Sequence, residues 1–449
     1  MGDREATLRQ ARFNRSLFIG FTGETLTSDA GVALLREVDE AFRLTEDLSR
    51  RLIDPRVKGL VEHDLGELLR QRIYAIACGY PDVLDAARLR RDPVHALAVT
   101  DHADETLASQ PTLCRLETEI LSERRNLSAL EGAHATWFSR LAARPEREDL
   151  IVDFDSTDDP VHGDQEGATW NGHFEEKCYH PLFAFSSRGW CLGGRLRPGN
   201  VPSAEGVEEF AEAIFRQVRG TAKRLRIRAD SAFAWPGFLQ ILEDRGVQYV
   251  MRLATNPALE EIVERHTRHR PRRGRVKYVD LRWQAKSWLA PRRIVAKIEW
   301  KEGDLFPAVL FCVTNLDLSP RKVVRFYDGR GNVENYIKEG KETLRWDRLP
   351  CQAFEANAAR LHLFVMAYNL LVAVRQRLLP PHEKHQALQT VREGLVKLGA
   401  RLTSSGRRLY LRIAAAAPVR ELFVRLLDRI AQLADSVTSR RLAPYPSRA

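Results

Sequence analysis

The chain has 449 residues, of which 44% are hydrophobic and 29% are charged; this composition excludes a disordered protein and allows roughly two to four folded domains. Lys and Arg number 70 against 60 acidic residues, so the net charge of +10 favours a polyanionic partner such as nucleic acid. There is no run of about 18 apolar residues and no apolar stretch at the start, so we expect neither a membrane span nor a secretory signal.

Six cysteines are scattered along the chain without a close C-x-x-C pair. This spacing argues against a zinc finger or a zinc knuckle. It favours buried thiols in a reducing cytosol, and the cysteines are not expected to carry the chemistry of the protein.

The first predicted region, residues 1–145, is helical. From about residue 27 its apolar residues recur at helical spacing, and Asp29 is the predicted N-cap of the first helix. Basic residues lie on the polar sides of these helices. A helical, basic region can bind DNA, so we predict that role; the alternative is that the helices only support the core.

Residues 146–255 change to a strand pattern and form the first part of a predicted catalytic core. In EDLIVDFDST, Leu150, Val152 and Phe154 alternate with the other side chains at the two-residue period of a strand. Two further strands follow, then an amphipathic helix capped by Ser203, a strand, a helix and a strand. This order predicts an α/β fold with an RNase H-like mixed sheet flanked by helices.

Residues 256–320 interrupt that alternation with strand-forming runs, which predict an antiparallel β insertion. The insertion contains an arginine-rich segment whose charges suit DNA phosphates, and a solvated loop is the alternative. The predicted DNA contacts of this segment are Arg268, Arg270, Arg272, Arg273, Arg275 and Lys277.

The remaining sequence is predicted to complete the core and then to continue as helices. Residues 321–378 form the second part of the catalytic core, with a helix that carries Glu334. Pro380 and Pro381 mark the end of the long helix that precedes them. Residues 379–449 form a basic helical C-terminal region.

Three carboxylates occupy positions from which they can meet. Asp155 and Asp230 end two predicted strands, and Glu334 lies on the helix after the insertion. Acids at strand ends can converge above a sheet, and carboxylates without a Cys or His cluster are hard oxygen ligands that suit Mg²⁺ or Mn²⁺. Two such ions can activate a nucleophile and stabilise a leaving oxygen. A turn or cap role for each acid is the alternative.

A second pattern surrounds the third acid. Tyr327, Arg330, Glu334 and Lys341 stand at relative offsets of 0, 3, 7 and 14, which places them within roughly 60° of one another on a helix. A solvated helix face with ion pairs is the alternative. Because glycines flank Arg330, the helix is predicted to begin near Asn332.

Together, DFDST, RADSAF and the Tyr-x2-Arg-x3-Glu-x6-Lys pattern resemble a bacterial insertion-sequence transposase of the DDE type, in the cut-and-paste group with the Tyr-Arg-Glu-Lys signature. The resemblance extends from about residue 30 to about residue 375. It implies that Asp155, Asp230 and Glu334 are the catalytic residues and the metal ligands, with Asp153 as the alternative first acid.

The resemblance also implies the roles of neighbouring residues. Tyr327, Arg330 and Lys341 would hold DNA phosphates near the cut, and Tyr327 would not be a nucleophile. Related transposases stack a flipped base on an aromatic residue of the insertion. The candidates are Trp283, Trp288 and Trp300, although most strand tryptophans are core residues.

The cofactor, partners and setting follow from the same resemblance. The cofactors would be two Mg²⁺ ions, which Mn²⁺ could replace. The partners would be double-stranded DNA, as element ends and as target, and a second copy of the chain on that DNA, without a membrane. The setting would be the bacterial cytoplasm, in association with the nucleoid.

The function that the resemblance implies is that of a DNA transposase. It would bind the terminal inverted repeats of its element, hydrolyse a strand at each end and join the freed 3′-hydroxyl groups to target DNA. One alternative is an RNase H-like endonuclease without strand transfer. Another is a catalytically inactive DNA-binding protein derived from a transposase, against which the presence of all three acids argues.

Overall fold

After three short strands, the N-terminal part of the chain is helical, as predicted from about residue 27. The computed structural model describes residues 25–142, 149–220, 222–267, 276–301, 306–405 and 407–442, together with residues 9–10, 13, 16 and 18–19. The first elements are β1 (Arg9–Gln10), β2 (Phe18–Ile19), β3 (Leu26–Thr27), α1 (Val32–Phe42), α2 (Leu44–Ser49), α3 (Leu65–Ala77), α4 (Ala86–Leu89), α5 (Pro93–Thr100), α6 (Gln110–Arg115) and α7 (Arg124–Leu141). A capping box between Asp64 and Glu67 starts α3 by satisfying backbone donors that a helix end leaves unpaired.

The predicted N-cap of the first helix is wrong. α1 begins at Val32, and Asp29 is instead buried, where it accepts a hydrogen bond from Tyr80 and pairs with Lys397 at 2.6 Å. Burial raises the pKa of Asp29, but hydrogen bonds from His95 and Lys397 outweigh burial and lower the pKa to about 2. The ion pair between Asp29 and Lys397 therefore connects the segment before α1 to the C-terminal part of the chain.

The centre of the protein is a mixed sheet. From residue 149 onward the strands are β4 (Asp149–Ser156), β5 (Asp159–Pro160), β6 (Thr169–Asn171), β7 (Glu176–Tyr179), β8 (Leu182–Ser186), β9 (Cys191–Arg195), β10 (Arg224–Ala229), β11 (Gln248–Leu253), β12 (Val276–Trp283), β13 (Arg292–Glu299) and β14 (Ala308–Thr314). Eight of them form one sheet in the order β12-β13-β14-β11-β10-β4-β8-β9, while β5, β6 and β7 form a small separate sheet. Strands β4, β10 and β11 are parallel, so their carboxyl ends lie at one edge.

The predicted insertion is antiparallel, and it extends the main sheet. β14 pairs with β11, and β13 and β12 follow outward, each antiparallel to its neighbour. The hydrogen-bonded sheet therefore crosses the predicted boundary between residues 146–255 and 256–320. The division of the chain into five regions stays a prediction.

Helices flank the sheet. They are α8 (Val207–Val218), α9 (Pro236–Asp244), α10 (Pro257–Thr267), α11 (Pro320–Asp328), α12 (Asn332–Glu339), α13 (Phe354–Ala373), α14 (Leu388–Val391) and α15 (Ala417–Leu442). α11 packs on β11 and β13, α12 on β4, and α13 on β9. The predicted cap Ser203 is wrong, because α8 follows Gly206, whose φ of 69° suits glycine.

α13 is the central core helix. With the turn that follows it, the segment Phe354–Leu378 is long and apolar enough to cross a membrane by length and composition alone. However, 94% of its apolar window is buried inside the protein, as in the core helix of a globular fold.

The two ends of the described chain meet in a small sheet. β15 (Ala400–Ser405) and β16 (Arg408–Ile413) form a hairpin, and β15 also pairs with β3. The backbone N–H groups of Ala30 and Gly31 donate to the carbonyls of Leu398 and Val396. A Cβ atom at Gly31 would lie 2.0 Å from the carbonyl oxygen of Leu395, so glycine permits this approach. The predicted helical C-terminal region therefore contains a hairpin that the sequence analysis did not anticipate.

Candidate active site

Three separate elements position the three predicted acids. Asp155 lies near the end of β4, and Asp230 directly follows the neighbouring parallel strand β10. The side chain of Asp230 accepts a hydrogen bond from the backbone N–H of Ala232, which caps the short turn after the strand. Glu334 lies in the first turn of α12, which begins at Asn332, as the flanking glycines predicted.

Arg330 contacts all three carboxylates. Its Nη2 atom lies 2.8 Å from Asp155 Oδ1 and 3.7 Å from Asp230 Oδ2, and its Nη1 atom lies 3.1 Å from Glu334 Oε1. Because one guanidinium group reaches all three side chains, their oxygens share one small volume. The structure therefore brings the three acids together, and it places Arg330 among them.

The site opens to solvent on one side. The side chains of Asp155 and Arg330 are each 10% exposed, whereas Asp230 is 35% and Glu334 67% exposed. Burial raises the pKa of Asp155 to about 7; Arg330 opposes this shift, and the charges of Asp230 and Glu334 add to it. The single positive charge of Arg330 therefore neutralises the negative charge of the three carboxylates only in part.

The three carboxylates fit a hard divalent cation, although their side-chain orientations in this structure do not form a metal site. Three carboxylates supply the oxygen ligands that Mg²⁺ and Mn²⁺ prefer. Within the described ranges, no three His, Cys, Asp or Glu side chains are placed to share a metal ion. Asp155 and Glu334 instead direct oxygens toward Arg330.

The alternative first acid, Asp153, has a different environment. Arg228 donates from Nε and Nη2 to the two carboxylate oxygens of Asp153 at 2.6 and 2.7 Å, and from Nη1 to the carbonyl of Phe326. Asp153 is fully buried in this pair. A Cβ atom at Gly329 would lie 2.2 Å from Arg228 Nη1, so the turn before α12 needs glycine there. This geometry gives Asp153 a structural role and favours Asp155 as the first acid.

Lys341 does not reach the three acids. Its ammonium group donates to the backbone carbonyl of Asp158 and lies 3.4 Å from Asp158 Oδ1 and 3.7 Å from Asp159 Oδ1. Asp159 is buried, and its two carboxylate oxygens have no hydrogen-bond partner among the residues described. Lys341 therefore holds the segment after β4, close to the first acid.

Replacing Lys341 by Met is expected to destabilise the protein by about 1–3 kcal/mol, because the buried carboxylate of Asp159 loses its nearest cation. Burial raises the pKa of Asp159 well above its ordinary value, and Lys341 opposes that shift. A carboxyl group with a raised folded-state pKa costs stability as the pH rises, so the loss should be larger at about pH 8 than at about pH 5. Urea unfolding measures both effects.

Lys338→Met is the matched control, since Lys338 is exposed and lies 3.7 Å from Glu342 at the surface. A Lys341→Met variant as stable as this control at both pH values would contradict the assignment.

Of the other predicted DNA contacts, the structure describes Tyr327 and Lys277. The ring of Tyr327 packs beside a small apolar cluster that includes Val250 and Cys312, and burial raises its pKa to about 12. Lys277 lies on β12, at the outer edge of the sheet and separated from β10 by three strands. Arg268, Arg270, Arg272, Arg273 and Arg275 lie outside the described residues.

The insertion tryptophans behave as core residues. Trp288 and Trp300 are buried, and Trp283 packs edge-on against Trp288 with ring centroids 5.3 Å apart. Trp235, which is not among the predicted site residues, lies five positions after Asp230 and is 57% exposed.

Comparisons with known proteins show the family of the chain and a distant similarity to a solved structure. A family model described as "Transposase DDE domain group 1" matches residues 9–435. No curated protein matches this chain. Among solved structures, the chain is similar to the piggyBac transposase in a cryo-EM synaptic complex with hairpin DNA, with 11% identity and a TM-score of 0.44 over 95% of this chain and 90% of that one. A TM-score of that size is too low to assign a shared fold.

Proposed function

Because this chain belongs to the DDE transposase family, we propose that it is a DNA transposase that cuts the ends of its element and joins them to target DNA. The observation that carries the proposal is the convergence of Asp155, Asp230 and Glu334 on one guanidinium group. Three acids from two strand ends and one helix are suited to phosphodiester chemistry with divalent cations. The terminal inverted repeats of the element are the proposed DNA sites.

We further propose that the sheet is RNase H-like. The part β9-β8-β4-β10-β11 has two antiparallel strands followed by three parallel ones, and the first two acids lie at the carboxyl ends of β4 and β10. Sites in α/β sheets open at that edge. This strand order supports the proposal without depending on the distant structural similarity.

The acids and Tyr327 have different roles in the proposed reaction. Asp155, Asp230 and Glu334 would hold two Mg²⁺ ions, which supply activation of the attacking oxygen and stabilisation of the leaving oxygen. Asp155 is fixed by burial and by the backbone N–H of Ser156, which donates to it at 3.0 Å. Burial raises the pKa of Tyr327 to about 12, so its hydroxyl group keeps its proton at neutral pH and can donate to a phosphate oxygen.

The proposed reaction has two steps. In the first, the oxygen of a water molecule bonds to phosphorus at the element end, and the 3′ oxygen leaves as a free hydroxyl group. In the second, that hydroxyl attacks a phosphodiester of the target, and a target 3′ oxygen leaves. Two protomers, one at each end, would carry out these steps on a bacterial insertion sequence.

The decisive experiment combines the full chain, a supercoiled plasmid and Mg²⁺ with intact element-end DNA in one reaction and pre-cut element-end DNA in a parallel one. Joined products that disappear in EDTA are expected. Cleavage of intact ends without any joining would instead favour an RNase H-like endonuclease. The absence of both activities, with DNA binding retained, would favour an inactive DNA-binding protein.

A further inference from the structure

The guanidinium group of Arg330 occupies the position in which a cation meets all three acids. We propose that Arg330 is the resident counter-ion of the site, and that a divalent cation binds only when this side chain leaves the carboxylates. Arg330 and the metal would therefore compete for the same oxygens. The inference rests on the proposed function, because it concerns the same three acids.

Charge explains why the site needs a resident cation. Three carboxylates in one small volume repel one another, and a nearby positive charge relieves that repulsion. Arg330 supplies one positive charge against three negative ones, so a negative charge of two remains. A divalent cation matches that remainder, but Arg330 already contacts the oxygens that it would need.

The contacts of Arg330 are those of a side chain that can move away from the three carboxylates. Its Nη2 atom lies 3.7 Å from Asp230 Oδ2, and its Glu334 partner is mostly exposed. Its Nε–H group is buried and has no hydrogen-bond partner in the described part of the chain. The guanidinium therefore retains an unused donor while it is at the carboxylates.

Arg228, on β10, differs from Arg330 in its contacts. Its Nε and Nη2 atoms each donate a hydrogen bond to one carboxylate oxygen of Asp153, and its Nη1 atom donates to the carbonyl of Phe326. All three nitrogens of the guanidinium group therefore have a partner. Such a fork holds a fixed structural pair. Among the described hydrogen bonds, Arg330 makes no such pair to one carboxylate, so it is the arginine that the proposal requires to move.

A departing Arg330 would carry its charge toward the DNA. Its position immediately before α12 lets the side chain turn about its own bonds without unfolding the helix that carries Glu334. A phosphate oxygen could then accept from the guanidinium in a forked geometry. The same residue would thus be a counter-ion before metal binding and a DNA-positioning residue after it.

Calorimetric titration of Mn²⁺ into the DNA-free protein tests the competition. Arg330→Gln is expected to bind Mn²⁺ at least about tenfold more tightly than the parent, because the competing charge is gone. Arg330→Lys should fall between them, since its single ammonium group keeps the positive charge but cannot reach the carboxylates through two separate nitrogens. In EDTA, Arg330→Gln should unfold at a lower temperature than the parent, and Mn²⁺ should raise its Tm by a larger amount.

Two controls make the result specific. Arg252→Gln removes another arginine, on β11, that contacts none of the three acids through a described ion pair, and its Mn²⁺ affinity should match the parent. Asp230→Asn should weaken Mn²⁺ binding in every background. If Arg330→Gln cannot be purified folded, Arg330→Lys alone decides the question by its affinity relative to the parent.

Each outcome has a definite meaning. Mn²⁺ binding that depends on Asp230 but is equal or weaker in both Arg330 variants overturns the competition and leaves the proposed function intact. No saturable binding in any variant overturns both proposals. Tighter binding in Arg330→Gln, with Arg252→Gln unchanged, supports the resident counter-ion.

Discussion

Asp230→Asn is expected to slow cleavage of element-end DNA by on the order of 10³-fold, equivalent to about 4 kcal/mol of transition-state stabilisation. The amide keeps the shape of the side chain and can still accept from the backbone N–H of Ala232, so the turn after β10 should persist. It removes the negative charge that a metal ligand must supply. Single-turnover cleavage of labelled end DNA in Mg²⁺ measures the effect.

The control for this substitution is Asp244→Asn, at an exposed acid at the end of α9 that accepts a hydrogen bond from Gln240. It should cleave at the parental rate. DNA affinity of Asp230→Asn, measured by gel shift in EDTA, should stay within about twofold of the parent, since the charge change lies in the proposed metal site. A parental cleavage rate in Asp230→Asn would remove Asp230 from the catalytic assignment.

The largest expected effect on stability comes from Arg228→Met. This change leaves the carboxylate of Asp153 buried without its forked partner, and losses of roughly 3–5 kcal/mol follow from breaking such a pair. The carbonyl of Phe326 also loses its donor. Urea unfolding, followed by circular dichroism, measures the loss.

The pH dependence of this loss has a definite sign. Burial raises the pKa of Asp153, and Arg228 is the main group that opposes the shift. Without Arg228 the folded-state pKa rises further, so the folded protein takes up a proton more readily than the unfolded chain. The destabilisation should therefore shrink as the pH falls and grow as it rises.

The control is the double variant Asp153→Leu with Arg228→Met, which removes both charges from the interior. It should recover most of the stability, because well-packed apolar residues often replace a buried ion pair at little cost. If Arg228→Met alone is as stable as the parent, Asp153 is not a structural partner of Arg228. Asp153 would then return as a candidate first acid.

The convergence of the acids could be predicted because it depends on local signals and on one general rule. Alternating side chains located Asp155 on a strand, and parallel strands end at the same edge of a sheet. The glycines around Arg330 correctly located the start of the helix that carries Glu334. These signals lie within a few residues of the positions that they describe.

The partners of those residues could not be predicted, because they are distant in sequence. Asp153 and Asp155 share a strand face, and only their contacts with Arg228 and Arg330 separate their environments. Lys341 meets Asp158 across 183 positions, and no local pattern reports that contact. The periodic stripe correctly grouped Arg330 with Glu334, but it gave no sign that the guanidinium faces the acids.

The pairing of β3 with β15 has a consequence for synthesis of the protein on the ribosome. Thr25 exchanges hydrogen bonds with Leu402, 377 positions later in the chain. Until that late segment emerges from the ribosome, β3 and the start of α1 expose backbone groups and apolar surface that have no permanent partner. β3 is therefore completed only after a segment 377 positions later has been made, and the nascent chain must stay protected from association over that length of translation.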